Sequence, residues 1–212
     1  MFYLVRMPAL VKKIYPGYIW DMPRDGKNIY LTFDDGPHET ITPFVLDELK
    51  KYNAKATFFC IGKNVAAHPD IYRRIIDEGH TAGNHTFNHL NGNKTGDEKY
   101  ISDVIKAAEY IDSVLFRPPY GRITRFQAKL LGNAKRPFKI IMWSVLSGDF
   151  DTSLSPRKCL ENVVLKSRAG SIVVFHDSAK AWDRLHYALP LALQHFTKNG
   201  YSFPAISEGS LY

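Results

Sequence analysis

The sequence lacks several features that would place it in a specialised class of protein. Its 212 residues hold two cysteines, Cys60 and Cys159, without CxxC spacing, so we predict free core thiols and no disulfide framework. No apolar run approaches the ~18 residues of a membrane span. No GxGxxG or Walker-type glycine loop follows the first apolar run, which disfavours a nucleotide-binding sheet.

Neither positive nor negative side chains are concentrated in one stretch of the sequence. The net charge is +7, yet no block of five like charges and no basic stripe interleaved with aromatic residues occurs. We therefore interpret the charge as a solvated basic surface and predict no nucleic-acid partner. No obligate protein partner is evident either.

The opening segment "MFYLVRMPALVKK" is a poor secretory leader. Arg6 interrupts its apolar part, and it has no small-residue cleavage site. The sequence therefore predicts a cytoplasmic protein, with an extracytoplasmic location as the alternative if a leader is missing. We expect residues 1–27 to cover one end of the fold as an N-terminal segment; an interfacial helix is the alternative.

What the sequence does have is a regular alternation of strand-like and helix-like segments. Apolar residues make up 45% and charged residues 23% of the chain, as in globular proteins, and the length suits one domain. The alternation predicts an α/β fold, a parallel sheet closed or nearly closed into a barrel, with a doubly wound open sheet as the alternative. The strand-like runs are NIYLTF (28–33), KATFFCIG (55–62), HTAGN (80–84), SVLFR (113–117), FKIIMWSV (138–145), SIVVFH (171–176) and YSFPAI (201–206).

Three helix starts have recognisable capping patterns. Thr42 precedes a proline and is predicted to be an N-cap. Thr95 and Glu98 have the spacing of a capping box, and Ser155 followed by Pro156 repeats the Ser/Thr-Pro start.

Polar side chains follow five of the strand-like runs. In β/α barrels the active site is built where strands end, so these side chains are expected to meet at one end of the barrel. They are Asp34 and Asp35, His85 and His89, Arg117 and Tyr120, Asp149 and Asp151, and His176 and Asp177.

The pair His85 and His89 suggests a metal site. The two residues are four apart, so in a helical turn both rings would project from one face. An HxxxH pattern alone is as often a pair of unrelated polar residues. Two histidines and one carboxylate form a known hydrolytic zinc arrangement. Of the adjacent Asp34 and Asp35, one can bind the metal, and the other can take a proton from the water that the metal activates.

Four motifs carry a family resemblance. TFDDGP, HTFNH, RPPY and VFH have the order and spacing of the polysaccharide deacetylase family, carbohydrate esterase family 4, and the resemblance runs from about residue 29 to 203. It implies a distorted, TIM-like barrel of seven β/α units, with residues 28–208 as the catalytic domain. It also implies a metal-dependent N-deacetylase.

The resemblance further implies a role for each matching residue. The metal ligands would be Asp35, His85 and His89, binding Zn2+ or another divalent ion such as Co2+. Asp34 would be the general base and His176 the general acid. The remaining roles would be those of Arg117 (orienting Asp34), Asp149 (tuning His176 or pairing with Arg117) and the backbone N–H of Tyr120 (holding the oxyanion).

The sequence departs from the family pattern around the pocket walls. Leu146 stands where an Asp is frequent, Phe150 where a Trp is frequent, and Val174 where the last motif has Leu. These changes bear on the choice of substrate. The predicted substrate-binding residues are Pro119, Tyr120, Trp143, Phe150 and Val174, with Trp143 as readily a core residue.

The function that follows is removal of N-acetyl groups from N-acetylglucosamine-containing glycans of the peptidoglycan or chitin type. One alternative keeps the site but changes the substrate, to a formylated lipid-linked amino sugar or a small amide. A second is a catalytically inactive carbohydrate-binding relative.

Overall fold

In the computed structural model, which describes residues 3–211, seven parallel strands form one curved sheet. Their order is β5-β4-β3-β2-β1-β7-β6, so the two longest strands, β1 and β7, lie side by side, and β6 follows β7 at that edge of the sheet. The strands are β1 (Ile29–Asp34), β2 (Thr57–Cys60), β3 (Thr81–Asn84), β4 (Leu115–Phe116), β5 (Lys139–Ile140), β6 (Val145–Leu146) and β7 (Ser171–His176).

Helices surround the sheet. None of the helices in the described part of the chain is long and apolar enough to cross a membrane. They are α1 (Ala9–Ile14), α2 (Ile41–Lys51), α3 (Gly62–Ala67), α4 (Pro69–Asp77), α5 (Asp97–Ala108), α6 (Arg125–Gly132), α7 (Pro156–Val164) and α8 (Trp182–Lys198).

Strand β1 and helix α8 illustrate how the core is built. All six residues of β1 are buried, as expected for a parallel strand covered on both faces. On α8 the buried residues recur at intervals of three and four, which gives the helix one apolar face toward the sheet. The apolar ones are Leu185, Ala188, Leu189, Ala192, Leu193 and Phe196.

The predicted distorted barrel of seven strands is confirmed, and it is open on one side. Among the described residues no ladder joins β5 to β6. The N-terminal segment lies in this gap: Ile19 donates to Ile140 O at 2.9 Å, and Met7 donates to Ser144 O at 3.0 Å. The division of the chain at residue 27 stays a prediction.

Two of the predicted strands were wrong. One is two strands in the structure and the other is not a strand, so the total remains seven. The run 138–145 is two strands, because the chain leaves the sheet where the carbonyls of Ile141 and Met142 accept hydrogen bonds from Arg117. The run 201–206 contributes one isolated bridge, Asn28 to Ser202, because Pro204 has no N–H for a ladder.

The predicted helix starts were partly right. Ser155 caps α7 as predicted, its hydroxyl accepting from Lys158 N at 3.2 Å. Helix α2 instead begins at Ile41 after Thr40, because the hydroxyl of Thr42 is bound within the fold. The N-cap of α5 is Gly96, one residue after Thr95, and it makes no side-chain cap bond.

Both cysteines are buried and free, as predicted.

Candidate active site

The turn after β1 separates the two adjacent aspartates. Asp34 ends the strand, and Asp35 takes left-handed backbone (φ 82°), so the two side chains leave the turn in different directions. The carboxylate of Asp177 accepts from Gly36 N at 3.1 Å and from the hydroxyl of Thr42 at 2.5 Å. These bonds hold the turn against the loop after β7.

Asp35, His85 and His89 form a candidate metal centre. One ligand atom from each lies within 4.8 Å of the other two. The Oδ1 atom of Asp35 is 3.2 Å from Nε2 of His89 and 3.7 Å from Nε2 of His85. That oxygen is buried without a hydrogen-bond partner of adequate geometry. An orphaned carboxylate oxygen facing two imidazoles fits a cation bound between them.

The protonation states also suit a metal. Burial lowers the pKa of His85 to about 4, so its ring is neutral at neutral pH, the form that binds metal. Burial raises the pKa of Asp35, but the imidazoles of His89, His176 and His85 outweigh it and bring that pKa below its usual value. The carboxylate is therefore ionised.

The two histidines lie in a loop, which corrects the expectation of a helical turn. His85 directly follows β3, and His89 has left-handed backbone (φ 57°). The Nδ1 atom of His85 hydrogen-bonds Arg117 O at 2.7 Å, which fixes the ring with Nε2 toward Asp35. Loop geometry thus brings the rings to a centroid distance of 5.1 Å.

Arg117 and Asp34 form a buried pair beside this centre. The guanidinium is fully buried and donates from Nη1 to Asp34 Oδ1 at 2.7 Å. Its other bonds go to Thr32 Oγ1, Ile141 O and Met142 O at 2.7–3.1 Å, so every edge of its planar fork is held. This arrangement keeps one oxygen of Asp34 in place and its negative charge balanced.

His176 and Asp149 form a second pair. The Oδ1 atom of Asp149 lies 2.8 Å from His176 Nδ1, and its Oδ2 accepts from His176 N at 2.7 Å. Burial lowers the pKa of His176, but the charge and hydrogen bond of Asp149 outweigh it and raise the pKa to about 10. At neutral pH the ring is protonated and can donate a proton from Nε2.

The residues predicted to bind substrate differ in their exposure and in the side chains that they contact. Tyr120 is 59% exposed, has left-handed backbone (φ 59°), and its ring lies 4.6 Å from that of His89. Phe150 meets the His176 ring edge-on at 5.2 Å. Trp143 is half-buried, and its Nε1 has no hydrogen-bond partner.

Val174, Leu146 and Pro119 are buried. Val174 is 1% exposed and pairs with Leu146 in the sheet. It contributes packing beneath the site, and its role as a substrate contact stays a prediction. Asp151 is half-buried and accepts from Ser153 N at 3.1 Å.

Sequence reasoning missed the residues that support the site. Thr32 and Arg184 were not singled out, and Asp177 was named only among the side chains expected at this end of the barrel. Arg184 donates from Nε to Asp149 O at 2.6 Å, which anchors the backbone behind the His176 pair. Only the position of Asp177 directly after His176 was a signal for any of them.

Fold and site together define a class of protein: a parallel, incompletely closed β/α barrel with a candidate metal centre and two charge pairs at the carboxyl ends of its strands. Comparison with known proteins gives the particular family. The profile of the family described as "Polysaccharide deacetylase" matches residues 21–135, and the chain belongs to this family. This confirms the predicted family and, with it, the enzyme class, a hydrolase of carbon–nitrogen bonds.

Individual relatives extend the match over nearly the whole chain. A peptidoglycan-N-acetylglucosamine deacetylase from Bacillus cereus is 36% identical over 207 residues, covering 94% of this chain and 96% of that protein. A second protein of that name from the same organism is 37% identical over 167 residues; the match covers 76% of this chain and 60% of that longer protein.

A solved structure agrees with the fold. The crystal structure of a peptidoglycan N-acetylglucosamine deacetylase in complex with 4-naphthalen-1-yl-N-oxidanyl-benzamide superposes with a TM-score of 0.84 at 32% identity. The match covers 94% of this chain and 95% of that one.

Proposed function

We propose that this protein is a metal-dependent deacetylase that removes N-acetyl groups from N-acetylglucosamine-containing glycans of the peptidoglycan or chitin type. The observation that carries the proposal is that the candidate metal centre of Asp35, His85 and His89 lies beside two charged pairs. One pair offers a proton acceptor and the other a proton donor. Arg117 holds Asp34 in place by a hydrogen bond, and Asp149 keeps His176 protonated. The names of the similar proteins support the same substrate class.

The proposed ion is Zn2+. Two neutral imidazoles and one carboxylate are a donor set that zinc prefers, and they leave a coordination position open for substrate or water. Another divalent ion such as Co2+ would also suit these ligands. When bound, the ion supplies Lewis-acid polarisation of the acetamide carbonyl.

The chain's own residues supply the proton transfers. Asp34 accepts the proton of the attacking water on its second oxygen, while Arg117 holds the first. The backbone N–H of Tyr120, in the left-handed turn after Pro119, is the group that would stabilise the developing oxyanion. His176 gives its proton to the departing amine, and the products are acetate and a free amino sugar.

Acetate release from N-acetylglucosamine oligomers and from peptidoglycan, measured with zinc-loaded protein, tests the proposal. Asp34→Asn removes the base and should abolish release while zinc still binds. His85→Ala should abolish release and weaken zinc binding together. Zinc binding without acetate release from either glycan would contradict the proposed substrate.

The alternatives give different results in the same assays. Deformylation of a lipid-linked amino sugar, or deacylation of a small amide, would release formate or another acid from a non-polymeric substrate. An inactive carbohydrate-binding relative would bind the oligomer without turnover. Cell fractionation bears on the choice, because a cytoplasmic enzyme would not meet polymeric wall glycan.

A further inference from the structure

The N-terminal segment extends the sheet next to the candidate site. Strand β6 pairs with β7 on one side, and residues 5–7 run antiparallel along its other side. Leu146 N donates to Val5 O at 2.8 Å, and Met7 N donates to Ser144 O at 3.0 Å, on either side of the bridge between Arg6 and Val145. The same register, continued outward, places Tyr3 opposite Gly148.

Tyr3 fits closely against the loop that follows β6. Gly148 has left-handed backbone (φ 82°), and a Cβ atom at this position would lie 2.7 Å from the Tyr3 hydroxyl oxygen. The Tyr3 ring is 5.0 Å from that of Phe150. Burial and the nearby carboxylate of Asp151 raise the pKa of Tyr3 to about 12, so its hydroxyl stays neutral at physiological pH.

Phe150 therefore contacts two other rings. Its centroid is 5.0 Å from that of Tyr3 and 5.2 Å from that of His176. Its neighbour Asp149 is held separately, by Arg184 Nε and by the two bonds to His176. Loss of Tyr3 would thus free Phe150 while the Asp149–His176 pair kept its own restraints.

We propose that Tyr3 is a positioning residue for substrate binding: the N-terminal segment holds Phe150, and the loop 148–151 around it, against His176. The inference rests on the proposed function in that Phe150 must line the substrate pocket. It assigns a role in the active site to a part of the chain that lies outside the barrel strands. Because Phe150 takes part in binding and the charged pairs in proton transfer, the effect should fall on KM more than on kcat.

The test compares Tyr3→Ala with two other variants. In Tyr3→Ala we expect hydrogen–deuterium exchange of the amides 148–151 to become faster. We also expect KM for acetylated glucosamine oligomers to rise about 3- to 10-fold with kcat nearly unchanged, since an aromatic pair contributes that much. Tyr3→Phe keeps the ring against Phe150, and its KM should equal that of the wild type.

Leu4→Ala is the matched control. Leu4 is 43% exposed and belongs to the same segment, but neighbouring side chains of an extended chain point to opposite faces. Exchange and KM should both match the wild type in this variant. A change in Leu4→Ala as large as in Tyr3→Ala would mean that the segment acts only by general stabilisation, and would overturn the proposal.

The two readouts separate this inference from the proposed function. Unchanged exchange at 148–151 in Tyr3→Ala overturns the positioning role, whatever the activity. Faster exchange without a change in KM overturns the role in binding. If exchange responds as expected but wild-type protein releases no acetate from any glycan, the contact of Tyr3 with the loop stands and the proposed function fails.

Discussion

At the scale of single residues, the turn that carries Asp35 depends on Asp177. Asp177 is buried, its two oxygens accept from Gly36 N and Thr42 Oγ1, and its own N–H donates to Asp34 O at 3.1 Å. A Cβ on Gly36 would lie 2.0 Å from the Asp177 carboxylate, so only glycine fits there. The left-handed backbone of Asp35 is thus held by its neighbours on both sides.

Asp177→Asn should weaken zinc binding without removing a ligand. The two bonds fall on different oxygens of Asp177, and an amide has an NH2 group in place of one of them, so the bonds from Gly36 N and Thr42 Oγ1 cannot both be kept as they are. We expect the dissociation constant for zinc to rise about 10- to 100-fold, the usual effect of losing a partner behind the ligands. Titration calorimetry with the metal-free protein measures it.

Asp183→Asn serves as the control, because Asp183 is exposed in the first turn of α8, close in sequence to Asp177. Its zinc affinity should equal that of the wild type. Equal affinities for wild type and Asp177→Asn would show that the turn keeps its shape without Asp177.

The sequence was sufficient to predict residues that belong to short motifs. Asp34 and Asp35, or His85 and His89, are close in the chain, so a local pattern identifies each pair. The supporting residues have no such pattern. The hydrogen bond from Gly36 to Asp177 spans 141 positions and forms only because β1 and β7 are neighbours in the sheet.

At the scale of elements, strand length and capping were harder to predict than strand number. The segment 138–145 is mostly apolar, and nothing in it marks the point where two carbonyls accept hydrogen bonds from Arg117 and the strand breaks. Likewise, the Thr95 and Glu98 pattern suggested a capping box that α5 does not use. A capping box does occur at Thr124 in α6, at a position that was not predicted.

These two threonines give a matched pair of variants. In α6 the Thr124 hydroxyl accepts from Gln127 N at 3.1 Å, and the Gln127 side chain accepts from Thr124 N at 3.1 Å. Thr124→Ala should lower the free energy of unfolding by about 1 kcal/mol. The N–H of Gln127 loses its acceptor, and the Gln127 side chain is then held less firmly against Thr124 N. Urea denaturation measures this difference.

Thr95→Ala should leave the free energy of unfolding within about 0.5 kcal/mol of the wild type, as for other surface substitutions. A loss in Thr95→Ala equal to that in Thr124→Ala would mean that Thr95 caps α5 in solution.

At the scale of the whole molecule, three histidines contribute to the dependence of stability on pH. Burial lowers the pKa of His80 and of His85 from 6.5 to about 4. For His176, burial also lowers the pKa, but Asp149 outweighs it and raises the pKa to about 10. The two kinds of shift act in opposite directions.

The opposite signs of these pKa shifts predict that the free energy of unfolding has a maximum as the pH is varied. A histidine whose pKa is lowered by folding stabilises the fold fully above pH 6.5, and this stabilisation is lost as the pH falls toward 4. His176 stabilises the fold fully below pH 6.5, and its contribution is lost as the pH rises toward 10. We therefore expect the free energy of unfolding of the metal-free protein, from urea denaturation, to be greatest near pH 6.5.

His80 is the residue with which the acid side can be tested apart from the metal centre. Its Nδ1 accepts from Ala56 N at 3.1 Å, a bond that the protonated ring cannot make. In His80→Asn the amide oxygen can replace that acceptor without titrating. The acid-induced loss should then shrink by on the order of 1 kcal/mol at about pH 5, allowing for solvent screening. His195→Asn, at an exposed position of α8, should not change it. An acid-induced loss as large in His80→Asn as in the wild type would assign the acid sensitivity to His85 and the metal centre instead.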